Sequence, residues 1–248
     1  MSFVAYREKE HIHKIQAKDV PPSEQKNIFY CQNPECNCKF TLSSYHSSKI
    51  RTHFVKLKSS KHIVGCWYDQ TISESGDKED YDTSDFSPAS LLYQVQKVKD
   101  TGAAIGTTKA PGLVTALDEK TKQTPHIHTI RQLYAVCIMN DDDEKINGIK
   151  IKDIFAGRKT SYFYTKYISG VKLVECSYHS YDATKNTINL QFPYAGGNFR
   201  ISAHFASPDL YGKMNRELYK YEKPILIYAV WSNNQTEIVS KHQIVPIK

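Results

Sequence analysis

Four of the chain's six cysteines lie close together, in "FYCQNPECNCKF" (29–40) and "RTHFVKLKSSKHIVGCWY" (51–68), which also carry two histidines. Thiolates and imidazoles grouped as two short-spaced pairs are what a tetrahedral metal site needs. Cys31 and Cys36 are separated by four residues, enough chain to turn back at Pro34 and present both sulfurs. His62 and Cys66 are separated by three residues, one helical turn, so both side chains point the same way. The expected ligands are Cys31, Cys36, His62 and Cys66. Two substitutes stay open: Cys38 for Cys36, and His53 for His62. Zinc is the expected ion because no redox role suggests itself. Cys137 and Cys176 sit in apolar runs and read as small core residues.

A second kind of chemistry is suggested by "GRKTSYFYTKY" (157–167), where Arg158, Lys159 and Lys166 interleave with Tyr162, Phe163, Tyr164 and Tyr167. Cations that hold phosphates and rings that stack on bases suit single-stranded nucleic acid. If the segment is a strand, side chains alternate and only half of the rings face one ligand. Arg158, Lys159, Tyr162, Tyr164, Lys166, Lys172 and Arg200 are the candidate nucleic-acid contacts. Two "His-Ile-His" pieces (11–13 and 126–128) read as ordinary polar-apolar alternation, and "NDDDEK" (140–145) as a solvated turn. No phosphate-cradling glycine loop, nucleophile elbow or zinc-protease helix motif is present, so no catalytic residue is assigned.

The elements that must position these groups follow from texture and charge. The chain has 248 residues, 40% of them apolar, with seventeen tyrosines, enough to bury a core. No apolar run approaches membrane-spanning length, and the opening "MSFVAYREKEHIHK" lacks the apolar stretch of a signal peptide. A cytoplasmic protein without membrane contact is expected, where clustered cysteines favour metal over disulfides. Net charge runs +6 over residues 1–68, −6 over 69–90, +2 over 91–129 and +5 over 130–248. Two basic blocks flank an acidic spacer, which suits an anionic partner such as nucleic acid. The expected organisation is a zinc-binding module (1–68), a linker with a short helix at "SLLYQVQKVKD" (69–129), and a β domain (130–248).

Within the last region "LYAVCIM" (133–139) and "IKIKDIF" (149–155) read as strand-like. "VKLVECSYH", "NTINLQF" and "FRISAHF" read as three successive strands. Leu210, Met214, Leu218 and Tyr221 then recur at helical spacing behind Ser207 and Pro208, before the strands "ILIYAVW" and "EIVSKHQIV". The order β-β-β-α-β-β is that of a five-stranded OB barrel, whose helix bridges the third and fourth strands. "FRISAHFASPDLYGKMNRELYKYEKPILIYAVW" resembles the corresponding stretch of OB-fold proteins, with Ala229 where they often have glycine. The fold class expected is α+β, mostly β.

Residues 25–68 carry a second resemblance. Tyr30, Cys31, Cys36, His53, Phe54, His62, Gly65 and Cys66 resemble the N-terminal zinc-binding segment of competence protein CoiA-like bacterial proteins. The resemblance implies a following nuclease-like domain and contact with DNA. A metal-dependent nuclease of that type needs an Asp and a Glu-x-Lys on neighbouring strands. The Glu-x-Lys here is Glu24-Gln25-Lys26, five residues after Asp19 with prolines between, so the nuclease does not carry over. The sequence therefore leads to a non-catalytic, zinc-containing binder of nucleic acid. The rivals are an adaptor with a protein partner, and a nuclease-related enzyme or one with an open zinc site.

Overall fold

The computed structural model describes residues 2–48, 50–64, 66–69, 81–97, 126–194 and 197–247. Most of the expected acidic linker, 70–80 and 98–125, lies outside the described residues. The molecule is α+β and mostly strands. Five short strands form the first sheet: β1 (Val4–Tyr6), β2 (Lys14–Gln16), β3 (Phe29–Tyr30), β4 (Lys39–Ser43) and β5 (His53–Lys56). Their order is β2-β1-β3-β4-β5, antiparallel throughout. Phe29, Phe40, Leu42 and Phe54 are buried, the rings of Phe29 and Phe54 lying 4.8 Å apart.

Helix α1 (Pro88–Lys97) buries Leu91, Leu92 and Val95, the face its spacing predicts. Residues 133–139, expected as strand-like, instead lie in helix α2 (Ile130–Met139). Thr129 caps it: its side chain accepts from Gln132 N while the Gln132 side chain accepts from Thr129 N. Only Arg131 and Gln132 escape full burial, so no helical period survives to distinguish the segment from a core strand.

The strand expected at 149–155 is also broken up. A two-residue hairpin, β6 (Lys145–Ile146) and β7 (Ile149–Lys150), turns at Asn147 and Gly148, with φ of 44° and 82°. The single turn α3 (Ile151–Ile154) and strand β8 (Phe155–Ala156) follow. The aromatic segment after them is a 3-10 helix, Arg158–Phe163, rather than a strand.

The barrel strands are β9 (Gly170–Asp182), β10 (Thr187–Tyr194), β11 (Gly197–Phe205), β12 (Ile225–Ser232) and β13 (Gln235–Ile238). They close in the order β9-β10-β11-β13-β12 and back to β9. The β11–β13 pair is parallel and the others are antiparallel. By position in the barrel this is the order 1-2-3-5-4-1, with helix α4 (Pro208–Leu218) between the third and fourth strands, as expected for an OB-like barrel. Ser207 caps α4, whose Tyr211, Met214 and Leu218 are buried. Ala229 is fully buried. The expected last strand is split by a 3-10 turn at Lys241–Gln243, so Ile244–Pro246 (β14) pairs with the start of β12.

Inward-facing Ile188, Leu190, Phe192, Ile201, Ile227 and Trp231 fill the barrel. A second apolar cluster runs from the four cysteines of the first sheet through α1 and α2 to Leu173, Leu226 and Tyr228 on the barrel. Among the described residues no helix is long and apolar enough to cross a membrane.

Gly157 leads into the 3-10 helix in extended backbone, beside the buried Glu175 carboxylate. An added Cβ would lie 2.3 Å from Phe155 Cζ and 2.7 Å from Glu175 Oε2. Gly157→Ala is expected to cost about 1–3 kcal/mol by overpacking. Gly212→Ala, in α4 with nothing within 4 Å of the new methyl, is expected to gain roughly 0.5–1 kcal/mol. Urea titration of the two variants checks both signs.

Candidate metal centre

The first sheet brings the predicted ligands together from two loops. Cys31 follows β3 directly, and its N–H donates to Cys38 O at 2.9 Å, holding the 31–38 loop closed. Asn33 shapes that loop: its carbonyl accepts from Cys36 N at 2.8 Å and its side chain from Glu35 N at 3.1 Å. The other loop leaves β5 and folds back on β4. Leu57 N donates to Lys39 O at 2.9 Å, Lys39 N to Ser60 Oγ at 2.8 Å, and Cys66 N to Ile63 O at 3.1 Å.

The four ligating atoms of Cys31, Cys36, His62 and Cys66 all lie within 4.8 Å of one another. Cys31 Sγ and Cys66 Sγ are 3.8 Å apart. His62 Nδ1 is 3.4 Å from both Cys36 Sγ and Cys66 Sγ. A tetrahedral ion with bonds of about 2.3 Å to sulfur and about 2.0 Å to nitrogen has edges of roughly 3.5–3.8 Å, so the group is close enough to bind a metal. A disulfide needs about 2.05 Å between sulfurs, and all six cysteines are free.

The surroundings suit thiolates held by a cation. Asn33 N donates to Cys31 Sγ at 3.4 Å, and Asn33 Nδ2 to Cys66 Sγ at 3.5 Å. The backbone at Ile63 and Cys38 favours the Cys36 thiolate, and that at Asp69 the Cys66 thiolate. Burial nevertheless pushes the Cys31 and Cys36 thiols up. Cys66 alone falls, to about 3, through hydrogen bonds from Cys31 and then His62. A divalent ion on the three sulfurs would offset the burial that pushes Cys31 and Cys36 up.

His62 is fixed on every side. Its side chain is 2% exposed. Its ring meets those of Phe40 and Tyr68 with centroids 5.7 and 5.6 Å away. With Nδ1 toward the sulfurs, Nε2 is turned to the Asp69 carboxylate at 3.9 Å. At that distance the carboxylate acts on the ring through its charge rather than through a hydrogen bond. Neither substitute, Cys38 nor His53, joins the group. Cys38 is buried beside Ser60 and stays outside the group, while His53 Nδ1 lies 2.9 Å from Arg51 O.

The barrel-side candidates are not brought to one surface. Arg158 donates to buried Glu175 at 2.5 Å. Lys159 is buried, donating to Cys137 O at 2.7 Å and 3.1 Å from Asp142. Tyr164 is buried with its hydroxyl on Lys152 O. Lys172 reaches Asp153 O at 2.7 Å. Tyr162, Lys166 and Arg200 are exposed, and Tyr162 also donates to Asp142 at 2.7 Å. The 140–145 turn is thus not simply solvated, because Asp142 is buried between Lys159 and Tyr162. Asp19 and Glu24 end short 3-10 turns, with Glu24 on Arg7 at 3.3 Å. Neither residue lies on a strand.

Asn33 and Asp69 were not singled out from sequence, since neither has a ligand's chemistry and their roles depend on where the loops close. No family model, curated protein or solved structure matches the chain.

The purified protein is expected to carry one metal ion per chain. Cys31→Ser and Cys66→Ser lose it, whereas Cys38→Ser keeps it. Asp69→Asn weakens metal affinity by about 10–100-fold. Elemental analysis and chelator competition measure both.

Proposed function

We propose that the chain is a non-catalytic, cytoplasmic protein that binds single-stranded nucleic acid and uses zinc as a structural ion. The carrying observation is the OB-like closed barrel with an exposed aromatic and basic segment entering its first strand. Tyr162, Phe163 and Tyr167 are 52%, 41% and 62% exposed, with the Tyr162 and Phe163 rings 4.0 Å apart. Lys152 Nζ lies 4.7 Å from the Phe163 ring centre, and Lys166 is exposed between Phe163 and Tyr167. Such rings serve as stacking platforms and Lys166 as a phosphate contact. Lys159 and Tyr164, held inside, support the segment rather than touch a ligand.

Zinc is favoured for the Cys3His group because borderline-soft donors in a tetrahedron suit it, and four protein ligands leave no open position for catalysis. Six free cysteines agree with a reducing compartment. The resemblance to the CoiA-like zinc segment points the same way, toward DNA.

An anisotropy titration with an oligothymidylate tests the reading. Affinity is expected to fall linearly with salt on logarithmic axes. Tyr162→Ala and Tyr167→Ala are each expected to lose about 1–3 kcal/mol if their rings stack on bases. Absence of binding at low salt, or binding that resists salt, contradicts it.

A further inference from the structure

Between Glu35 and Asp69 the sequence holds six lysines and arginines and no carboxylate. This run is the metal-binding segment itself. Lys39, Lys56, Lys58 and Lys61 are exposed, and among the described residues none lies within ion-pair distance of a carboxylate. By contrast, Lys14, Lys150, Lys152 and Lys159 all do. The four unpaired lysines are neighbours in the fold. Lys56 stands opposite Phe40 in the β4–β5 register, and Lys39 is bonded through its backbone to Leu57 and Ser60. Lys58 and Lys61 flank Ser60 on the loop that returns to the metal ligands.

The same loop ends in bare apolar side chains. Ile63 is 42% exposed and Val64 is 104% exposed, although the flanking His62 and Cys66 are tied into the metal group. Leu57 N on Lys39 O and Ser60 N on Leu57 O hold the start of the loop, while its far end is held through the two ligands His62 and Cys66.

We propose that the loop Leu57–Val64, together with Lys39 and Lys56, is a nucleic-acid contact surface that the metal shapes. Its lysines neutralise successive phosphates and its Ile63–Val64 tip lies against an unstacked base. Charge complementarity selects the partner: a cluster of lysines with no ion-pair partner among the described residues matches a phosphodiester backbone. This inference rests on the nucleic-acid reading above and adds a second surface to it, making the zinc module a participant rather than a prop.

The test uses the full chain and an oligothymidylate over a range of salt. Lys58→Ala/Lys61→Ala is expected to keep its metal and lower the salt slope by about 1.4, from roughly 0.7 per phosphate contact on a single strand. Val64→Ser is expected to weaken binding severalfold with the slope unchanged, since an apolar contact releases no counterion. Chelation is expected to remove the same part of the slope as the double lysine variant. If that variant retains the wild-type slope and affinity while Tyr162→Ala and Tyr167→Ala weaken binding, this surface is overturned and the barrel reading stands. If the wild-type protein binds no oligonucleotide, both fall.

Discussion

Three sulfurs and one imidazole nitrogen crowded into a space under 5 Å across, and largely shut off from water, make the constraint on which the N-terminal part depends. Burial makes free thiolates costly there, and thiols alone leave several polar atoms with weak partners. A divalent cation would resolve the conflict by charge and by coordination at once. It would also join two loops that are each held by their own hydrogen bonds, Cys31 N to Cys38 O in one and Leu57 N to Lys39 O in the other. One loop is shaped by Asn33; the other is a stretch of Lys, Ser and exposed aliphatic residues that buries little of itself.

From this centre the connection to the barrel is physical and continuous. Gln32, next to Cys31, donates from its side chain to Ser2 Oγ at 2.8 Å and to Ile138 O at 3.1 Å, at the end of α2. Lys14 of the first sheet meets Asp141 at 3.2 Å, and Asp142 beside it meets buried Lys159 at 3.1 Å. Burial lowers the Lys159 pKa, with Asp142 opposing the shift. Such a pair is weak evidence for net stability, but removing one partner strands the other charge in the interior. Lys159 begins the segment whose Tyr162, Phe163 and Tyr167 are exposed, so the ion pair holds the base of the proposed stacking surface. The metal module and that surface thus share one support.

The sequence was most readable where chemistry or period is local. The ligand pairs showed in their spacing, and α4 in Ser207, Pro208 and the repeat of Leu210, Met214 and Leu218. The order of strands around α4 was enough to anticipate the barrel's connectivity, because strand, turn and helix signals alternate cleanly there. It failed where burial erases pattern. Helix α2 is enclosed on nearly all sides, and its apolar run is as good a core strand as a core helix; only Thr129 and Gln132 marked its start. It failed again at Arg158–Phe163, where inward and outward side chains follow a 3-10 turn rather than a strand's alternation. Spacing put Cys36 before Cys38 and His62 before His53 but left both substitutes open; the loops bring the first of each pair together.

The most direct measurement of the central claim is X-ray absorption at the zinc edge of the purified full-length chain. The account predicts a first shell of three sulfurs at about 2.3 Å and one nitrogen at about 2.0 Å, with no bound water oxygen. A shell dominated by oxygen and nitrogen, or a protein that folds and holds no metal while its cysteines pair, would contradict it.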